Sequence, residues 1–199
     1  MQNSNHFKIT DLTKGAMFIA LMAIGANLTA FITIGVVPLT FQTVIAILAG
    51  ILLGRKLAAF SMIGYILIGL IGVPVFAGFL GGLHRIASPN FGFSISFIIL
   101  AYVVGAIVEK SKKENVFTYY KASYIGLLIN YFIGVPYLYL HSSILLGFNS
   151  VSFSAITLGM GPFFLKDFVL ATLAAILAPL VIRAIFRTPH PQQNFVEKP

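Results

Sequence analysis

Lys166 and Asp167 sit together in a segment that is otherwise almost entirely apolar from Phe153 to Ile185. A charge at membrane depth costs a few kcal/mol or more and normally faces a cavity or a partner. Neighbouring residues point in different directions on a helix, so mutual pairing is not their natural geometry. The preceding Gly161-Pro162 suits a fresh helix start, because Pro is tolerated in a first turn. A half-helix opening onto a cavity is a recurrent anion site in transporters. The alternative is a structural pair, either buried or at headgroup level.

A second group of polar residues lies in the glycine-rich stretch from Phe76 to Gly92. Gly81 and Gly82 precede His84 and Arg85, and Ser88-Pro89-Asn90-Phe91-Gly92 follows. Glycine lets backbone approach a ligand closely, and an Asn side chain both donates and accepts. Arg85 could meet a ligand or lipid headgroups, and the glycines could serve turns alone. Thr40 and Gln42 begin another apolar run, as helix caps or as ligand contacts. Tyr65 and Tyr131 are read as bundle-facing hydrogen-bonding groups, not site residues. Ala16 and Ala20 form an i, i+4 pair of small residues that lets another helix approach closely, inside the fold or on a partner.

The elements that must carry these groups follow from composition. Of 199 residues, 58% are hydrophobic and 9% charged, against about 45–50% and about 25% in soluble domains. So few charges cannot wet a compact body of this size, which excludes a soluble enzyme, a disordered chain and a coiled coil. At roughly 20 residues per crossing, about six helices use most of the chain. A single integral membrane domain over residues 1–199 is expected, with a polar lead over about 1–11 and a disordered cytoplasmic tail over about 187–199. The first apolar run is read as a retained helix, not a signal peptide.

The spans are expected at about Thr13–Ile34, Phe41–Leu53, Leu57–Leu70, Phe93–Val108, Tyr119–Leu140 and Phe153–Ile185. The fifth should bend near Gly134 and Pro136, and the sixth should break at Gly159–Pro162. Six spans put Lys8, Lys14, Arg55, Lys56, Lys110, Lys112, Lys113, Lys121, Arg183, Arg187 and Lys198 on one side. These are eleven of the 13 basic residues, so that side, with both termini, is cytoplasmic. The net charge of +8 therefore reflects orientation and not nucleic acid. Arg85 and Lys166 are the exceptions.

Chemistry is further bounded by what the sequence lacks. There is no cysteine, hence no disulfide, thiolate nucleophile or thiolate metal site. No phosphate loop, H-E-x-x-H or G-x-S-x-G motif occurs. No metal site, cofactor or catalytic residue is expected.

The blocks Val37-Pro38-Leu39-Thr40-Phe41-Gln42-Thr43 and Leu48-Ala49-Gly50-Ile51-Leu52-Leu53-Gly54 resemble those of the BioY family. So does the run from Tyr65 through Gly72-Val73-Pro74-Val75-Phe76-Ala77-Gly78 to Gly81-Gly82, as do Pro89-Asn90-Phe91-Gly92-Phe93 and Gly161-Pro162-Phe163-Phe164-Leu165-Lys166-Asp167. The likeness spans nearly the whole membrane portion. Asn90 stands where the family usually has Thr, Lys166 where Gly is common, and Leu170 where Lys is often seen.

The resemblance implies an all-α membrane protein of six transmembrane helices with interrupted segments, an S-component-like bundle. Its implied function is high-affinity biotin binding and uptake as the S component of an energy-coupling factor transporter. The implied substrate residues are Asp167 for the ureido N–H groups, Asn90 for either ureido edge, and Lys166 or Arg85 for the carboxylate. Gln42 would support the polar head, and Phe79, Phe91 and Phe163 would cover the apolar parts. Ala16 and Ala20 would dock the transmembrane coupling subunit, and two separate ATPase subunits would supply the energy that a chain without a phosphate loop cannot. The rival functions are a solitary ion-coupled vitamin carrier and a membrane-embedded enzyme.

Overall fold

The computed structural model describes residues 8–34, 37–111, 115–145 and 152–185. The expected tail from Arg187 onward, most of the polar lead and the charged residues 112–114 lie outside them. The elements in order are α1 (Ile9–Asn27), β1 (Thr33–Ile34), β2 (Val37–Pro38), α2 (Gln42–Leu53), α3 (Arg55–Leu70), α4 (Phe91–Lys110), α5 (Val116–Leu140), α6 (Phe153–Gly159) and α7 (Gly161–Ile185). A 3₁₀ turn, Leu83–Ala87, precedes α4, and a π turn, His141–Leu145, follows α5.

Helices α1, α4, α5 with its π turn, and α7 are long and apolar enough to cross a membrane. The other two expected spans are shorter: α2 has 12 residues and α3 has 16, about 18 and 24 Å at about 1.5 Å per residue, against a core of about 30 Å. Large apolar side chains such as Met17, Leu67, Phe132, Leu165 and Leu180 lie exposed on the outside. Exposed apolar surface on this scale marks a lipid-facing exterior, and the chain is a membrane protein.

The first helix stops at Asn27, seven residues before the expected end at Ile34. Asn27 turns its amide back to Ala23 O at 2.9 Å and across to Val75 O at 3.3 Å. The chain then forms the antiparallel pair β1–β2 and returns so that Phe41 N donates to Gly25 O at 2.9 Å. Among the described residues the fold is all-α apart from this pair of two-residue strands and an isolated Phe76–Leu80 bridge. The fifth helix runs through Gly134 and Pro136 to Leu140 without a break in its helical pattern, and the π turn follows it. The last span breaks where expected, with α6 ending at Gly159 and α7 starting at Gly161.

Close helix approach carries the packing, because lipid is as apolar as Leu and supplies little hydrophobic drive between helices. A Cβ on Gly126 of α5 would stand 2.7 Å from Val104 Cγ2 of α4, and one on Gly105 of α4 would stand 2.6 Å from Arg55 Cα. Glycine is therefore required at both crossings. Tyr65, Met22, Ile47, Met62 and Leu100 fill the main core, and Val37, Val135, Leu138, Met160 and Phe163 form a smaller cluster at one end. At the opposite end, Arg55 pairs with Glu109 at 3.1 Å. That contact ties the α2–α3 turn to the end of α4, so basic residues of both segments share one end of the bundle.

Candidate ligand-binding site

A cavity of about 700 Å³, open mouth included, lies at the end of the bundle away from the Arg55–Glu109 pair. It is lined from β2, α2, α3, the 76–91 stretch, α4, α5 and α7. Seven of the eight expected substrate residues meet there: Gln42, Arg85, Asn90, Phe91, Phe163, Lys166 and Asp167.

Phe79 is the exception. It is 71% exposed and lies outside the cavity. Its φ of +55° is unusual for a side-chain-bearing residue. Asn27 Oδ1 holds that conformation by accepting Phe79 N–H at 2.7 Å, and Phe76 and Leu80 bridge across the turn. Phe76 takes the wall position, buried against Tyr65 edge-to-face at 5.5 Å.

Asp167 is 4% exposed and enters the cavity from the second turn of α7. Its Oδ2 accepts from Tyr131 Oη at 2.9 Å and from Thr43 Oγ1 at 3.1 Å. Its Oδ1 lies 2.8 Å from Lys166 Nζ but has no hydrogen-bond partner of good geometry among the described residues. The two adjacent residues therefore do pair, against expectation. The long Lys side chain reverses direction, and its ammonium also donates to Thr40 O. Oδ2 thus takes two neutral hydrogen bonds from the protein, while Oδ1 takes the ammonium alone. At the α7 opening Phe164 N–H is bonded to Met160 O at 2.9 Å, and the first two turns give the cavity the side chains of Phe163, Lys166 and Asp167.

Thr40 and Gln42 do not cap α2, since no side-chain cap exists at its start. Thr40 supplies its carbonyl to Lys166, and Gln42 Nε2 donates to Tyr65 Oη at 2.9 Å. Tyr65 in turn donates to Val75 O at 3.1 Å. Tyr65 and Tyr131 make the expected bundle hydrogen bonds and also line the cavity.

Arg85 comes from the 3₁₀ turn, and its Nε is buried with no hydrogen-bond partner among the described residues. Partial burial lowers its pKa, opposed by nearby Tyr65, yet a guanidinium stays charged at any physiological pH. The turn is tethered to α5: Tyr137 Oη donates to Ile86 O at 2.6 Å, and His141 Nε2 lies 2.7 Å from Ala87 O. A carbonyl only accepts, so the His141 proton is on Nε2. Thr43, Ser94, Phe97, Asn130 and Met160 also line the cavity and were not expected there. Asn130 and Ser94 carried a usable signal, as polar residues within apolar runs.

The chain over residues 1–187 matches the model of the BioY family. The chain belongs to the BioY family. A probable biotin transporter BioY from Pyrococcus horikoshii is similar at 38% identity over 171 residues, covering 86% of this chain and 95% of that protein. A putative biotin transporter BioYB from Bacillus subtilis is 36% identical over 189 residues, covering 94% of each. The fold is similar to a 2.1 Å crystal structure described as the S-component for biotin from an ECF-type ABC transporter. That match has a TM-score of 0.69 and 26% identity, over 92% of this chain and 95% of the other. The BioY blocks read from the sequence are those that bring Gln42, Asn90, Phe163 and Asp167 to one cavity.

Proposed function

We infer that this chain binds biotin and acts in its uptake as the substrate-specific S component of an ECF-type transporter. The observation that carries the reading within the cavity is the split role of Asp167. Oδ2 is held by Tyr131 and Thr43, and Oδ1, ion-paired to Lys166, has a second lone pair that an incoming N–H can use. Biotin's ureido ring brings two N–H donors and one carbonyl acceptor, and its tail ends in a carboxylate. Asp167 accepts from the ring, with Asn90 at either ureido edge and Gln42 supporting the head. Arg85, with an unspent Nε, meets the carboxylate, and Phe91 and Phe163 cover the apolar parts. Lys166 holds Asp167 instead.

Both termini are cytoplasmic, on the side that collects eleven basic residues, and the cavity mouth at the other end faces outward. The partners are a transmembrane coupling subunit and two ATPase subunits, and no cofactor is used. Ala16 and Ala20 support that docking role, being exposed on α1 while Gly15, Phe18 and Met22 face inward. Titration of detergent-purified protein with biotin, beside thiamine as an unrelated vitamin, tests the reading. Saturable binding of biotin alone is expected, and equal or absent binding of both would contradict it.

A further inference from the structure

A line of polar side chains runs from Asp167 into the bundle: Thr43 and Asn130 reach the cavity wall, and Ser96 lies behind them. Thr43 on α2, Asn130 on α5 and Ser96 on α4 are 4%, 2% and 0% exposed, so each must be satisfied within the protein. Their proton order can be read from Asp167 outward. An ionised carboxylate only accepts, so Thr43 Oγ1 donates its single proton to Oδ2 at 3.1 Å. The Thr43 oxygen then accepts from Asn130 Nδ2 at 3.2 Å. This fixes the Asn130 amide, whose Oδ1 accepts from Ser96 Oγ at 2.5 Å. Ser96 shares that proton with Phe93 O at 2.7 Å. The opposite amide orientation would set Asn130 Oδ1 against a Thr43 oxygen with no proton left to give.

We propose that Thr43 and Asn130 are positioning residues for ligand binding. Together with Ser96 they form a one-directional relay that, with Tyr131, fixes Asp167 Oδ2 and so sets the orientation in which the carboxylate meets a ligand N–H. The proposal rests on the biotin reading above. It extends that reading to residues from three helices that make the acceptor face of the site selective for a donor edge. Removing the Thr43 hydroxyl leaves Oδ2 held by Tyr131 alone, loosens the carboxylate about its Cβ–Cγ bond, and leaves Asn130 Nδ2 buried without its acceptor. The steric cost is small, because Thr and Val have nearly the same shape.

The test is a biotin titration of full-length purified protein, with melting midpoints recorded for every variant. Thr43→Val is expected to weaken biotin about 10- to 100-fold, the range carried by a hydrogen bond to a charged group. Thr43→Ser keeps the hydroxyl and should stay within about threefold of wild type. Asn130→Ala, one step further back, should weaken binding less than Thr43→Val and add nothing in a Thr43→Val background, as members of one relay are non-additive. Wild-type affinity in Thr43→Val, equal loss in Thr43→Ser, or additive losses in the double variant would each overturn the relay. If Thr43→Val does not fold, Asn130→Ala decides alone. A loss of at least threefold at an unchanged melting midpoint supports the relay, and wild-type affinity overturns it. Wild-type protein that fails to bind biotin would instead overturn the functional reading on which the relay rests.

Discussion

Lys166 Nζ stands 2.8 Å from Oδ1 of its sequence neighbour Asp167 while also donating to Thr40 O of the segment before α2. The ammonium thus joins α7 to the segment before α2 and offsets the one buried carboxylate among the described residues. A charge left uncompensated at such depth is far more costly than the pair.

Lys166→Met is therefore expected to destabilise the empty protein by about 3 kcal/mol, at the low end for breaking a buried pair. Its melting midpoint should fall by roughly 6–12 °C, at about 2–4 °C per kcal/mol in a chain of this size. A thermal unfolding scan in detergent checks this. An unchanged midpoint would show that Asp167 does not need the ammonium.

Arg85 is assigned to the ligand's carboxylate, so its effect must depend on that charge. Arg85→Gln should weaken biotin about 10- to 100-fold and change binding of biotin amide, whose tail is neutral, by less than threefold. Parallel titrations with the two ligands provide the measurement. Equal losses for both would remove Arg85 from the carboxylate role.

The turn carrying Arg85 hangs from α5 through Tyr137 and His141. Tyr137→Phe deletes one tether, worth about 1 kcal/mol as a neutral hydrogen bond. Biotin should dissociate about fivefold faster, with the association rate little altered. Stopped-flow displacement kinetics read this directly, and an unchanged off-rate would mean that the tether does not hold Arg85.

Much of this was legible in the sequence, for a physical reason. The scarcity of charge forces a membrane fold, and glycine and proline mark its breaks, including Gly159–Pro162. The same scarcity singled out Arg85, Lys166 and Asp167, all of which line the cavity. What stayed hidden depends on helix rotation and on local backbone. Thr43, Asn130 and Ser96 meet only because α2, α4 and α5 present them inward, and spacing along one chain does not give that. Phe79 was misplaced because its positive φ turns it outward. The end of α1 was missed because Asn27 bonds to Val75, 48 residues away.

Ala16 and Ala20 lie on the exposed side of α1, remote from the cavity lining. Ala16→Leu combined with Ala20→Leu should leave biotin affinity within about twofold of wild type. It should also sharply reduce uptake in proteoliposomes holding the coupling and ATPase subunits, since bulk at a small-residue face blocks close helix approach. Transport by the chain alone, abolished by a protonophore, would favour a solitary carrier.

The central claim is that the cavity around Asp167 is where biotin binds. Equilibrium dialysis of radiolabelled biotin against wild-type and Asp167→Ala protein tests it most directly. Saturable binding by the wild type, weakened at least 100-fold in the variant, is the predicted result, because the substitution removes a charged acceptor from a dry site. Wild-type affinity in Asp167→Ala would contradict the account.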